Sequence, residues 1–203
     1  MAAARSADLV GRARAYARAA HLGDTRKGSG VSYFDGHLEP VAQIVQDAGG
    51  TPVQVAAAYL HDVVEDHGGL ARLDDVRAEF GDDVATVVAD LSDSVADTDA
   101  GETKAPWRER KQAYVEALPT KSSVSLVVAA ADKLHNVRSI VDDLDDLGDD
   151  LWARFTTEDA ADHVWYYRSL ADGIRSRMPD HDLSRALCEA VDELAERAGV
   201  HQI

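Results

Sequence analysis

Apolar residues recur along this chain at spacings of three and four, and almost nowhere do they alternate one by one. A 3.6-residue period marks amphipathic helices, and strict alternation marks strands. The pattern predicts helices over about 7–21, 38–48, 52–66, 73–80, 82–92, 106–118, 121–145, 157–178 and 182–198, with no convincing strand. The helix from 52 has a well-marked start: Thr51 can cap, Pro52 suits the first helical position, and Gln54 can reach back. Residues 124–131 are apolar all round apart from Ser125, the mark of a buried helix. The Gly-rich stretch 22–36 reads instead as a loop, of a length that often carries function. No repeat, low-complexity linker or Pro/Gly-rich boundary divides the chain, so residues 1–203 are expected to form one all-α domain, a helical bundle.

Composition narrows the field. With 203 residues, 45% of them hydrophobic, the chain can bury one substantial core. No run approaches the roughly 20 apolar residues needed to span a bilayer. The opening Met-Ala-Ala-Ala-Arg-Ser-Ala-Asp lacks the pattern of a signal peptide. The single cysteine, Cys188, suits a reducing compartment, so a cytoplasmic protein without a membrane partner is expected. Cys188 itself falls at an apolar position and reads as packing. A net charge of −16 argues against nucleic-acid binding through a broad basic footprint. A small anionic ligand needs only a local cationic pocket or a metal, so it stays open. The acidic run 142–150 reads as a solvated helix end.

The densest chemistry lies in Ala-Tyr-Leu-His-Asp-Val-Val-Glu-Asp, residues 58–66. On a helical wheel of about 100° per residue, His61, Asp62, Glu65 and Asp66 share one side, opposite Val53, Ala56, Ala57, Leu60 and Val64. Amphipathic helices commonly carry a charged solvent face, but such faces usually mix in Lys or Arg, and this stretch has neither. Imidazole beside carboxylate is metal-ligand chemistry. Asp132, ending the buried run, needs a partner there, either a neighbouring cation or a metal. Asn136 lies one turn on, on the same side. His37 follows the loop, where a lone histidine is more often a cap or surface residue than a ligand.

Taken in order, these motifs resemble the HD-domain phosphohydrolases, and more narrowly the hydrolase domain of RelA/SpoT-type alarmone enzymes and their stand-alone small relatives. The resemblance runs through Ala17-Arg18-Ala19-Ala20-His21-Leu22-Gly23-Asp24-Thr25-Arg26-Lys27, His37, Leu60 to Asp66, Phe80 to Val84, Trp107 to Lys111, and Ala131-Asp132-Lys133-Leu134-His135-Asn136. It implies an HD-type bundle with metal and catalytic motifs over 21–138, completed by C-terminal helices in 157–198. It implies His37, His61, Asp62 and Asp132 as ligands of one divalent metal, usually Mn²⁺. It also implies Glu65 and Asp66 as the acidic pair acting on water, Arg26 and Lys27 against the nucleotide, and Asn136 in the nucleotide's pocket. The implied reaction is loss of the 3′-pyrophosphate from guanosine tetra- or pentaphosphate. Relatives often write Tyr-Ile-x-His-Pro, whereas this chain has Tyr33-Phe34-Asp35-Gly36-His37-Leu38, with proline delayed to Pro40.

Beside that resemblance, a His₂Asp₂ donor set suits Fe²⁺ or Zn²⁺ as well as Mn²⁺. Lys133 and Arg138 join Arg26 and Lys27 as the cations nearest the expected site. Arg108, Arg110 and Lys111 form a second basic cluster that reads equally as a solvent-exposed face. Trp165, Tyr166 and Tyr167 read as core or interface packing. Two other functions fit the motifs: an HD nucleotidase acting on monophosphates, an adenosine alarmone or a 2′-phosphorylated dinucleotide, and a catalytically silent nucleotide- or partner-binding module. Monomer and homodimer are both open.

Overall fold

A computed structural model describes residues 2–26 and 30–200, with side chains described from residue 8 onward. The helices run α1 (Ala2–Ala20), α2 (Glu39–Asp47), α3 (Pro52–Leu60), α4 (Val63–Asp66), α5 (Gly69–Phe80), α6 (Asp82–Leu91), α7 (Trp107–Ala117), α8 (Ser123–Leu147), α9 (Ala160–Arg177) and α10 (Asp182–Arg197). A π-helical turn, Phe34–Leu38, leads directly into α2, and short 3₁₀ stretches occupy Leu118–Thr120 and Gly148–Arg154. Among the described residues there is no strand, only an isolated bridge between Thr25 and Ser32 across the loop. The all-α expectation is met. No described helix is long and apolar enough to cross a membrane.

Side chains cap the helices as local chemistry requires. Thr51 and Gln54 form the reciprocal capping box that opens α3. Ser122 accepts from the Ser125 amide at the start of α8, and Asp159 and His181 do the same for α9 and α10. Such caps satisfy amides that have no partner within the helix.

Two helices contain stretches with no exposed face. Every residue of α3 from Gln54 to Leu60 is buried, and so is α8 from Ser125 to Asp132. Around α8 are packed α2, α3, α6, α9 and α10, while α1 covers α3. Both helices therefore sit inside the bundle, and their polar residues must be satisfied there.

Three boundaries differ from the periodicity. The helix expected over 52–66 is interrupted at His61 and Asp62. There the Ala58 carbonyl accepts a bond from the His61 ring nitrogen at 2.8 Å, a side-chain competitor for helix pairing. Helical structure resumes at Phe34, inside the expected loop, and at Gly69 rather than 73. The face bearing His61 also points inward, because His61 is only 2% exposed. The polar side of that helix is an interior site.

Candidate active site

Four side chains from three places in the chain meet at one point. His37 comes from the π-helical turn, His61 and Asp62 from the break between α3 and α4, and Asp132 from the middle of α8. His37 Nε2 lies 3.2 Å from His61 Nε2, 3.4 Å from Asp62 Oδ2 and 3.3 Å from Asp132 Oδ1. His61 Nε2 lies 3.1 Å from Asp62 Oδ2 and 3.5 Å from Asp132 Oδ1. Ligands held about 2.1 Å from one ion stand roughly 3.0–3.4 Å apart, so these separations suit a shared cation. Two imidazoles and the Asp132 carboxylate are buried, and Asp62, part-buried beside them, completes a donor set that suits a divalent metal.

The surroundings aim these donors. The Nδ1–H of His61 donates to the Ala58 carbonyl, which leaves the Nε2 lone pair facing the cluster. His37 Nδ1 lies 3.0 Å from His135 Nδ1. With Nε2 of His37 as a ligand, its Nδ1–H is the donor of that bond. Burial and the nearby His37 push the His135 pKa down to about 3, so this ring is neutral and can accept. The Tyr33 hydroxyl donates to Asp62 Oδ2 at 2.6 Å. Burial, reinforced by Asp62, holds Tyr33 well above the usual tyrosine range and so keeps it a donor. Lys133 donates to Asp132 Oδ2 at 2.7 Å, and the Asn136 amide donates to Oδ1 at 2.6 Å.

Electrostatics favour positive charge at the centre. Burial alone would raise Asp62 and Asp132, yet His61 and His37, joined at Asp132 by Lys133, hold both well below the usual carboxylate range. Burial alone would also lower His61, yet Asp62 and Asp132 hold it well above the usual imidazole value. Glu65 and Asp66 behave oppositely. Burial, with Asp93 and Asp62 adding repulsion, pushes Glu65 up to about 8. Burial and Asp62 raise Asp66 to about 6. Glu65 accepts the Asp93 amide at 2.6 Å, and Lys104 Nζ lies 4.0 Å from Glu65 and 3.7 Å from Asp66.

Two cavities open from this centre. The larger, about 690 Å³, is lined by Arg26, Tyr33, Asn136, Ile140, Arg154 and Phe155 among others. The smaller, about 340 Å³, presents Lys104, Arg110, Lys111 and Lys133 together with Asp62 and Glu65. Tyr33, Asp66, Asn136, Phe155 and Tyr167 line both.

Of the residues expected at the site, His37, His61, Asp62, Asp132, Glu65, Asp66, Arg26, Lys133 and Asn136 are gathered here. Arg26 donates to Asn136 Oδ1 at 3.3 Å. Lys27 lies outside the described residues. Arg138 is corrected: it is exposed on α8 and lines neither cavity. It stands about 200° around the helix from Asn136. The solvent-face reading of 108–111 is corrected in part, because Arg110 and Lys111 are largely buried on Asp93 and line the smaller cavity. Arg108 lies over Trp165, its guanidinium carbon 3.3 Å from the ring centre. Tyr166 and Tyr167 are buried as expected and also form cavity wall. Tyr33 and His135 stand inside the quoted motifs without a role read from them, and Lys104, Arg154 and Phe155 carry no sequence signal. The only signal for Tyr33 was its place four residues before His37.

The matched sequence and fold define the class. Residues 13–159 match the HD domain, and the chain belongs to the HD-domain family. It is 30% identical over 136 residues to guanosine-3′,5′-bis(diphosphate) 3′-pyrophosphohydrolase MESH1 of Xenopus tropicalis, covering 66% of this chain and 70% of that protein. The human protein of the same name is 34% identical over 127 residues, covering 62% of this chain and 65% of that one. A probable guanosine-3′,5′-bis(diphosphate) 3′-pyrophosphohydrolase of Synechocystis is 32% identical over 65% of this chain, but the match takes in only 17% of its length. Among solved structures, a metazoan ortholog of SpoT that hydrolyses ppGpp superposes with a TM-score of 0.69 at 22% identity, over 95% of this chain and 97% of that one. A protein from Listeria monocytogenes superposes at 0.65 with 26% identity, over 79% and 99%.

Proposed function

We propose that this chain hydrolyses the 3′-pyrophosphate of guanosine tetra- and pentaphosphate, releasing pyrophosphate and leaving GDP or GTP. The observation that carries this reading is the pair of carboxyls, Glu65 and Asp66, lining one cavity together with Asp62 of the His₂Asp₂ cluster and four cations. The relatives' activity supports the substrate class.

His37, His61, Asp62 and Asp132 would hold one divalent cation, Mn²⁺ in this reading, which supplies Lewis acidity toward water and the phosphoryl group. Asp66, half ionised near pH 6, takes the proton of the attacking water. Glu65, whose burial favours the protonated carboxyl, returns one to the 3′-oxygen as its bond to phosphorus breaks. Lys104, Arg110, Lys111 and Lys133 receive the charge of the departing pyrophosphate. Arg26 and Asn136 bound the larger cavity, where the nucleoside lies, and Lys27 is the next residue in the sequence after Arg26. In this reading residues 1–203 act as one unit, in the cytoplasm.

The test incubates Mn²⁺-loaded protein with guanosine tetraphosphate and, separately, with nucleoside monophosphates. Pyrophosphate is expected from the first and nothing from the second, with Asp62→Ala inactive. Orthophosphate from monophosphates, or an Asp62→Ala protein as active as the parent, overturns the assignment.

A further inference from the structure

A second cluster of metal-type donors lies outside the one just described. His21 follows the last residue of α1, Asp24 stands three residues on in the loop, and His67 follows Asp66, the last residue of α4. Asp24 Oδ2 sits between the two rings, 3.0 Å from His21 Nδ1 and 2.8 Å from His67 Nε2. The rings approach edge to face with centres 4.8 Å apart. His21 is 2% exposed, and its Nε2 is buried without a hydrogen-bond partner among the described residues. Asp99 lies 3.6 Å from His67 Nδ1, on the nitrogen a ligating ring turns outward.

We propose that His21, Asp24 and His67 bind a second divalent transition-metal ion, separate from the His37–His61–Asp62–Asp132 centre. Two imidazoles and one carboxylate on a single oxygen-centred cluster are a recurrent ligand set for Zn²⁺, Fe²⁺ and their neighbours, and three ligands leave coordination positions open. Asp24 and His67 both line the larger cavity, so those open positions face whatever anion occupies it. Burial also lowers the His21 pKa, which keeps the ring in the neutral form that a metal requires. Tyr33 links the two centres: its ring stacks on His21 at 5.1 Å and its hydroxyl bonds Asp62. A phosphate oxygen held at this second ion would be fixed relative to the first.

The competing use of the same residues is a purely hydrogen-bonded clamp, with Asp24 pinning the loop to the end of α4. Metal counting separates the two and needs no nucleotide, so it succeeds or fails independently of the proposed hydrolysis. The full chain is stripped with a chelator and titrated with Co²⁺ alone, read by visible absorption and by elemental analysis after dialysis. Two equivalents per chain are expected for the parent and one for His67→Gln or Asp24→Asn. One equivalent is also expected for Asp132→Asn, and none for His67→Gln combined with Asp132→Asn. His67 is partly exposed, and circular dichroism verifies that its variant is folded. A single equivalent in the parent, or two retained in both His67→Gln and Asp24→Asn, overturns the second site.

Discussion

Asp132 divides its two oxygens between two tasks. Oδ2 takes the Lys133 ammonium, while Oδ1 faces His37 and His61 and accepts from Asn136. The sequence posed a neighbouring cation and a metal as alternatives for this residue, and the structure accommodates both. For Tyr33, spacing relates it to His37 but not to Asp62, which its hydroxyl reaches across 29 positions. Groups that hold a ligand's unused lone pairs typically contribute 10–100-fold to metal affinity. Tyr33→Phe is therefore expected to weaken Mn²⁺ binding by roughly that factor while circular dichroism stays native. Unchanged affinity in a calorimetric titration would remove Tyr33 from the site.

At the scale of elements, the break between α3 and α4 matters most. A continuous helix would carry Glu65 and Asp66 round with the wheel, whereas the turn at 61–62 lets α4 set its own direction beside segment 92–105. That segment is held close by Gly69, whose φ is +54° and where an added Cβ would stand 2.4 Å from the Val95 carbonyl oxygen. Gly69→Ala must push this backbone away and adopt a left-handed conformation, at a cost of about 1–3 kcal/mol. The expected outcome is a lower thermal midpoint together with a reduced kcat, since Asp93 N–H and Lys104 both reach the acidic pair from this segment. Full stability and activity would show that the segment relaxes freely. Cap residues made α3 legible in advance, but the inward turn of its polar face depended on α8, which no local pattern contains.

For the whole molecule, the formal charge of −16 coexists with a cavity of four cations, because acid is spread over the surface while Lys104, Arg110, Lys111 and Lys133 converge. Global stability should register the buried acid. The folded chain holds the Glu65 proton more tightly than the ordinary value of 4.5, with a pKa of about 8. Its contribution is therefore fully present below pH 4.5 and is lost as pH rises through about 8. Thermal midpoints of chelator-treated protein should fall between pH 5 and 8.5 more steeply for the parent than for Glu65→Gln. Equal slopes would show that Glu65 is not held protonated. The sequence by itself determined the helical class, the buried character of the first turns of α8, and the set of metal-type side chains, because periodicity and residue chemistry are local properties. Only the tertiary structure decided that His135 and Tyr33 reach His37 and Asp62, that Arg110 and Lys111 line the smaller cavity while Arg138 lines neither, and that His21, Asp24 and His67 converge. Those are facts of distance between segments far apart in the chain, fixed by how the helices pack around α8.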